Sequence, residues 1–194
     1  MALSVTLVWF AVAPASALAG KTLSGTMVAN GGAQATTSAT VIVVAQVRGA
    51  RTMRYREQGD AYSGWEAYTA IKTLELGADG PKVVEGQFRS ANGARVTLTA
   101  SILLDSTGPT TTCDYDGLPR ATVTATLTAV DALSEVAATW YRLDGGTWRQ
   151  GTTMTLHRVR KRGGLSAGAH TLEFYSVDAL GNVGPIGSSV IVLQ

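Results

Sequence analysis

The sequence predicts an all-β protein built as two antiparallel β-sandwiches in tandem. Short strand-like runs recur along the chain, separated by turn signals. Helical periodicity is scarce. The second half of the chain also repeats the first at an offset near 90 residues.

The strand-like runs come first. In the first half they are read at Thr26–Ala29, Ala39–Val47, Thr52–Glu57, Ile71–Leu76, Lys82–Arg89 and Arg95–Leu104. In the second they fall at Thr122–Ala129, Ala138–Leu143, Thr152–Val159, His170–Val177 and Ser188–Leu193. Between them stand Asn30-Gly31-Gly32, Gln58-Gly59-Asp60, Asp79-Gly80-Pro81, Asn92-Gly93, Asp144-Gly145-Gly146 and Gly181-Asn182, residue types that tolerate or favour turns. Strands of this length at this spacing indicate a sandwich or barrel. The best helix candidate, Ala129 to Thr139, is rich in Ala but carries the β-branched Val130, Val136 and Thr139.

The repeat is visible residue by residue. Tyr55-Arg56, a Gly-containing turn and Trp65 answer Tyr141-Arg142, Asp144-Gly145-Gly146 and Trp148, and Glu85 answers Glu173. The offset is 86 residues at the tyrosines and 88 at the glutamates. That period is a whole sandwich, not a solenoid unit. It sets the expected boundaries: a signal peptide over 1–19, one domain over 24–104 and another over 105–194, joined at Asp105-Ser106-Thr107-Gly108-Pro109. Pro109 removes a backbone donor there.

Alternation assigns the faces. Leu172, Phe174 and Ser176 should face the core, with Tyr141 and Leu143 opposite them. Trp140, Arg142, Glu173 and Tyr175 then share the outer face, where Arg142 and Glu173 meet across the sheet. Arg56 and Glu85 are their counterparts. Trp65 and Trp148 follow equivalent turns and are expected to pack over the sandwich edge.

Of the 194 residues, 45% are hydrophobic and 15% charged, and the formal net charge is +2. So small a charge argues for neither nucleic acid nor a membrane surface as partner. Leu3 to Ala13 is apolar and precedes Ala15-Ser16-Ala17 and Ala17-Leu18-Ala19, the pattern of an export signal, although no Lys or Arg precedes it. The run is too short to span a bilayer, so no transmembrane segment is expected in the mature chain. Cys113 is the only cysteine, which excludes an intrachain disulfide and a thiolate zinc site.

Tyr141 to Trp148, followed by His170 to Asn182, resembles the bacterial Ig-like, fibronectin type III-like repeats of exported and cell-surface proteins. Met53-Arg54-Tyr55, Ser63 to Tyr68 and Gly86-Gln87-Phe88-Arg89 are similar to a more divergent sister repeat, and Leu104 to Thr111 resembles the usual joining segment. Ser90 and Ala94 depart from the pattern, which has Asp and Asn in that last hairpin turn. The resemblance implies two Ig-like sandwiches, location outside the cell, and a non-catalytic spacer or adhesion role. The alternative is a module binding carbohydrate or an anionic cell-wall polymer. Partners would be an extracellular glycan or other domains of a longer chain. No cofactor is expected.

The candidate ligand-binding residues are Arg158, Arg160, Lys161 and Arg162, a concentrated run of positive charge, with Trp140 and Tyr175 on the sheet. Gly164-Leu165-Ser166-Ala167-Gly168 matches the nucleophile-elbow spacing but lacks the strand–turn–helix setting that exposes such a serine. His157 and His170 would face each other across neighbouring strands, too few ligands for a metal. Asp114-Tyr115-Asp116-Gly117 lacks the distal ligands of an EF-hand. An irregular calcium site near the junction would draw on Asp105, Asp114, Asp116 or Asp178.

Overall fold

The computed structural model describes residues 23–159 and 165–194. In chain order the strands of the first half are β1 (Ser24–Ala29), β2 (Ala35–Thr36), β3 (Thr40–Arg48), β4 (Thr52–Glu57), β5 (Glu66–Ala67), β6 (Ile71–Glu75), β7 (Gly80–Arg89) and β8 (Arg95–Leu104). Those of the second half are β9 (Thr110–Cys113), β10 (Thr122–Val130), β11 (Val136–Leu143), β12 (Arg149–Gln150), β13 (Thr153–His157), β14 (Gly168–Asp178) and β15 (Gly187–Leu193). Among the described residues there is no α-helix, as the sequence predicts. The signal-peptide expectation over 1–19 lies outside the described residues.

In the first half, a sheet ordered β1-β3-β6 faces one ordered β2-β8-β7-β4-β5, and their inward residues form one buried cluster. Phe88 is wholly buried at its centre and meets Tyr55 edge-on at 5.9 Å and Tyr68 at 6.0 Å between ring centroids. Gly86 makes room for this: a Cβ there would lie 2.9 Å from ring carbons of both Phe88 and Tyr55. Tyr68 Oη donates to Ala45 O on the opposite sheet.

In the second half, sheets ordered β13-β10-β9 and β12-β11-β14-β15 enclose a separate cluster around Leu172, Phe174, Ile191 and Leu193. Leu172, Phe174 and Ser176 are buried as alternation requires, and Tyr141 and Leu143 pack against them. A hydroxyl chain, Thr111 to Ser176 to Thr139 with both contacts 2.8 Å, replaces apolar packing at one end. The Ala129–Thr139 segment is not helical. Asp131 Oδ1 accepts the N–H groups of Leu133 and Ser134 and turns the chain between β10 and β11.

Candidate functional site

The segment joining the halves is gripped from both sides. Asp105 N–H donates to Thr36 O of the first half, while Asp105 O accepts from Asn182 Nδ2 of the second at 2.9 Å. Ser106 donates through N and Oγ to the carboxylate of Asp79 in the first half. Beyond it, backbone presses on backbone. A Cβ at Gly108 would sit 2.4 Å from Gly184 N, and one at Gly184 only 1.9 Å from Pro109 O. Pro109 is fully buried. This segment is packed structure, not a free tether.

Asp178 and Asn182 bracket the β14–β15 turn that performs the grip. Asp178 Oδ1 accepts from Leu180 N and Asn182 N, both 2.8 Å, and Oδ2 accepts from Asn182 Nδ2 at 2.7 Å. Burial raises the Asp178 pKa, but these donors outweigh it and hold the carboxyl below its usual value. The side chain is therefore an anion, which fixes Asn182 to reach Asp105.

Three carboxylates converge here. Oxygens of Asp105, Asp131 and Asp178 all lie within 4.8 Å of one another. Asp105 is 0% exposed, and its Oδ2 has no hydrogen-bond partner among the described residues. Of the four aspartates considered from sequence, the fold thus unites Asp105 with Asp178 and adds Asp131. Asp114 and Asp116 are spent elsewhere, on Thr126 N and on Arg120 with Leu118 N. Asp131 escaped notice because it sits in the stretch whose alanines suggest helix.

The outer sheet faces carry the second feature. On the second half Arg142 binds Glu173 through two contacts, 2.7 and 3.1 Å, and lies 4.6 Å under Trp148. Trp148 meets Tyr175 edge-on at 4.7 Å, and Tyr175 is the cross-strand partner of Trp140. The guanidinium holds the Glu173 pKa down. On the first half Arg56 pairs with Glu85 at 2.6 Å, and Arg54 lies 4.4 Å from the Tyr62 ring and 4.6 Å from Trp65. Trp65 and Trp148 therefore do not cap the sandwich edge as expected; they lie on arginines of the outer face, where a guanidinium plane favours an aromatic ring.

The remaining sequence candidates are scattered. Arg158 is exposed and its N–H donates to Ala121 O; Arg160, Lys161 and Arg162 lie outside the described residues. The two histidines do not meet: His157 contacts Thr122, and His170 lies 2.7 Å from Asp144 and 3.1 Å from Ser166 O. Both partners of His170 are acceptors, an arrangement that favours the imidazolium. Its pKa is raised, by Asp144 above all. The ring thus contacts the backbone carbonyl of Ser166, not its hydroxyl, so the hydrogen bond of a serine nucleophile to its base is not formed here.

Two pairs of sheets, each pair around its own buried cluster, define an all-β sandwich architecture. No protein-family model matches the chain, and no curated protein sequence matches it. Solved structures do. Fibronectin(III)-like modules of Clostridium thermocellum CbhA align over 87% of this chain and 94% of theirs, at 12% identity and TM-score 0.38. A 1.5-MDa bacterial ice-binding adhesin aligns over 89% of this chain and 64% of its own, at 12% identity and TM-score 0.45. A Ca2+-stabilised adhesin with which an Antarctic bacterium binds ice aligns over 88% and 49%, at 19% identity and TM-score 0.41.

Proposed function

We propose that the chain is a non-catalytic spacer or adhesion module working outside the cell. In this reading residues 24–104 and 105–194 are separately folded domains, held in fixed relation by the junction. One observation carries it: Asp105 ties its N–H to the first half and its C=O to the second, beside a carboxylate cluster it cannot itself satisfy. A carboxyl oxygen shut away from water without a hydrogen-bond partner is costly. A divalent cation among Asp105, Asp131 and Asp178 relieves that cost. Calcium suits the site. It accepts irregular all-oxygen shells at about 2.3–2.6 Å, a span that accommodates oxygens lying within 4.8 Å of one another, as these do. Magnesium demands a tighter octahedron.

The test is thermal unfolding and small-angle scattering of the whole chain in Ca2+, in Mg2+ and in EDTA. Ca2+ should raise the melting temperature and reduce the spread of interdomain angles, and Asp131→Asn should abolish both. Identical curves in Ca2+ and EDTA would remove the cation, and a collapsed single globule would remove the spacer. A second reading, binding of a carbohydrate or anionic wall polymer, is favoured by the aromatic rings seated on arginines of the outer faces.

A further inference from the structure

The two sheets of the first half turn different surfaces to water. One carries Arg54, Arg56, Arg89 and Arg95 on β4, β7 and β8. The other, β1-β3-β6, carries an apolar row across all three strands: Val28 stands directly opposite Val44, and Val44 opposite Ile71. Ile42 lies two residues from Val44, on the same face. Val28 is 41%, Ile42 50% and Ile71 62% exposed. Thr26, Thr40, Gln46 and Thr73 surround them, and among the described residues the only charges on this face are Arg48 at one end and Glu75 at the other. The matching sheet of the second half, β13-β10-β9, shows another surface. Its outward positions are Thr122, Thr124, Thr126 and Thr128 on β10, Thr153 and Thr155 on β13, and Thr110 and Thr112 on β9, with Val130 at the rim. Threonine suits a strand as well as valine or isoleucine does, so strand propensity does not explain the aliphatic residues of the first half. A contiguous apolar patch left in water marks a surface that meets a partner.

The two charges identify that partner. Neither Arg48 nor Glu75 enters an ion pair among the described residues; Glu75 accepts the Thr40 hydroxyl. They stand at opposite ends of the face, Arg48 beside Ser24 and Glu75 beside Thr40. When two identical sheets meet face to face, a two-fold axis lying across the strands near Val44 exchanges their ends. It lays apolar row on apolar row and brings Arg48 of each copy to the Glu75 end of the other. A two-fold axis lying along the strands would lay Arg48 on Arg48. The charge pattern thus selects one arrangement in which this surface complements itself. β3 has nine residues, so at about 3.3 Å per residue and about 4.8 Å between strands the face measures roughly 30 by 15 Å. That falls short of the about 800 Å2 per partner of a standard interface, which makes the pair weak and reversible.

We propose that two copies of the chain pair through the outer face of β1-β3-β6, with Val28, Ile42, Val44 and Ile71 of each copy against those of the other and Arg48 answering Glu75. The pairing goes beyond the spacer reading and does not depend on it. Sedimentation equilibrium of the whole chain, from micromolar to millimolar concentration, is the test. The mass should rise from monomer toward dimer and no further, because a closed two-fold pair uses the face up. Ile71→Lys sets like charges together at the centre and should weaken the dimer about 10-fold or more. Ile42→Thr with Ile71→Thr gives this face the residue of its counterpart and should weaken it several-fold at unchanged melting temperature. Arg48→Glu and Glu75→Arg should each weaken it, and the two combined should restore it. Thr124→Lys, on the matching face of the second half, should leave it as it is. A chain that stays monomeric, or a dimer indifferent to Ile71→Lys, overturns the proposal. So does a melting temperature that the double threonine variant lowers where the wild type is monomeric, since the chain would then cover this face itself. A dimer lost in Ile71→Lys but unmoved by either charge reversal overturns the two-fold arrangement.

Discussion

Ser90 to Ala94 and Asp178 to Asn182 are the same turn built twice. In each, the first residue donates its N–H to the carbonyl of the fifth, Ser90 to Ala94 and Asp178 to Asn182. In each the fourth residue is a glycine at positive φ, 88° at Gly93 and 91° at Gly181. The backbone thus needs only the glycine, which reaches that conformation without strain. The side chains separate the two. Ser90 bonds within its own turn, while Asp178 fixes Asn182 so that it reaches Asp105. One turn merely closes a hairpin, and the other also holds the neighbouring half.

The largest test of this contrast asks whether the halves are separate at all. Phe88→Ala should cost about 3–5 kcal/mol and Leu172→Ala about 2–5, each lowering a different calorimetric transition. A single transition shifted by both would mean one cooperative unit. Next, Asp178→Ala strands three N–H donors and should cost about 1–3 kcal/mol, together with a wider angular distribution in scattering. Ser90→Ala at the matching place should change stability by less than about 0.5 kcal/mol and leave the shape alone.

A smaller effect concerns the Asp144–His170 contact, whose place in the first half is taken by Glu57 and Lys82, 2.7 Å apart. Its histidine pKa is raised, so that contribution is complete below the ordinary 6.5 and fades as pH rises through the folded value. Its Asp144 pKa is lowered, so that contribution is complete above the ordinary 3.8 and fades as pH falls through the folded value. The melting-temperature gap between wild type and His170→Asn should therefore be widest between the ordinary values of 3.8 and 6.5 and shrink as pH rises through the folded histidine value. The smallest effect is expected from Ser90→Asp with Ala94→Asn. It restores the side chains of the gripping turn where no Asp105 stands, and should move stability by about 0.5 kcal/mol or less.

Most strands were legible because alternation is local. Thr52–Glu57 and Arg95–Leu104 have the predicted ends, and Arg142 meets Glu173 as the register requires. Thr110–Cys113 was not legible. It follows Pro109 closely and pairs with β10 through four short residues, so it read as linker. The carboxylate cluster was half legible. Asp105 and Asp178 stood out as junction and turn residues, but Asp131 joins them only through tertiary packing. The arginines around Trp65 were missed because Arg54, Arg89 and Arg95 come from three different strands and form no run in sequence.

Asp105 also has a mechanical meaning. With its N–H bonded to Thr36 and its C=O to Asn182, tension drawn along the chain from one half to the other crosses this residue. These two hydrogen bonds, the two from Ser106 to Asp79 and the Gly108–Gly184 backbone contact would bear the first load. A calcium ion at the proposed site would add ionic links in parallel with them. Such a joint would yield at low force without the ion and hold at higher force with it, making stiffness under pulling a property of the surrounding calcium concentration.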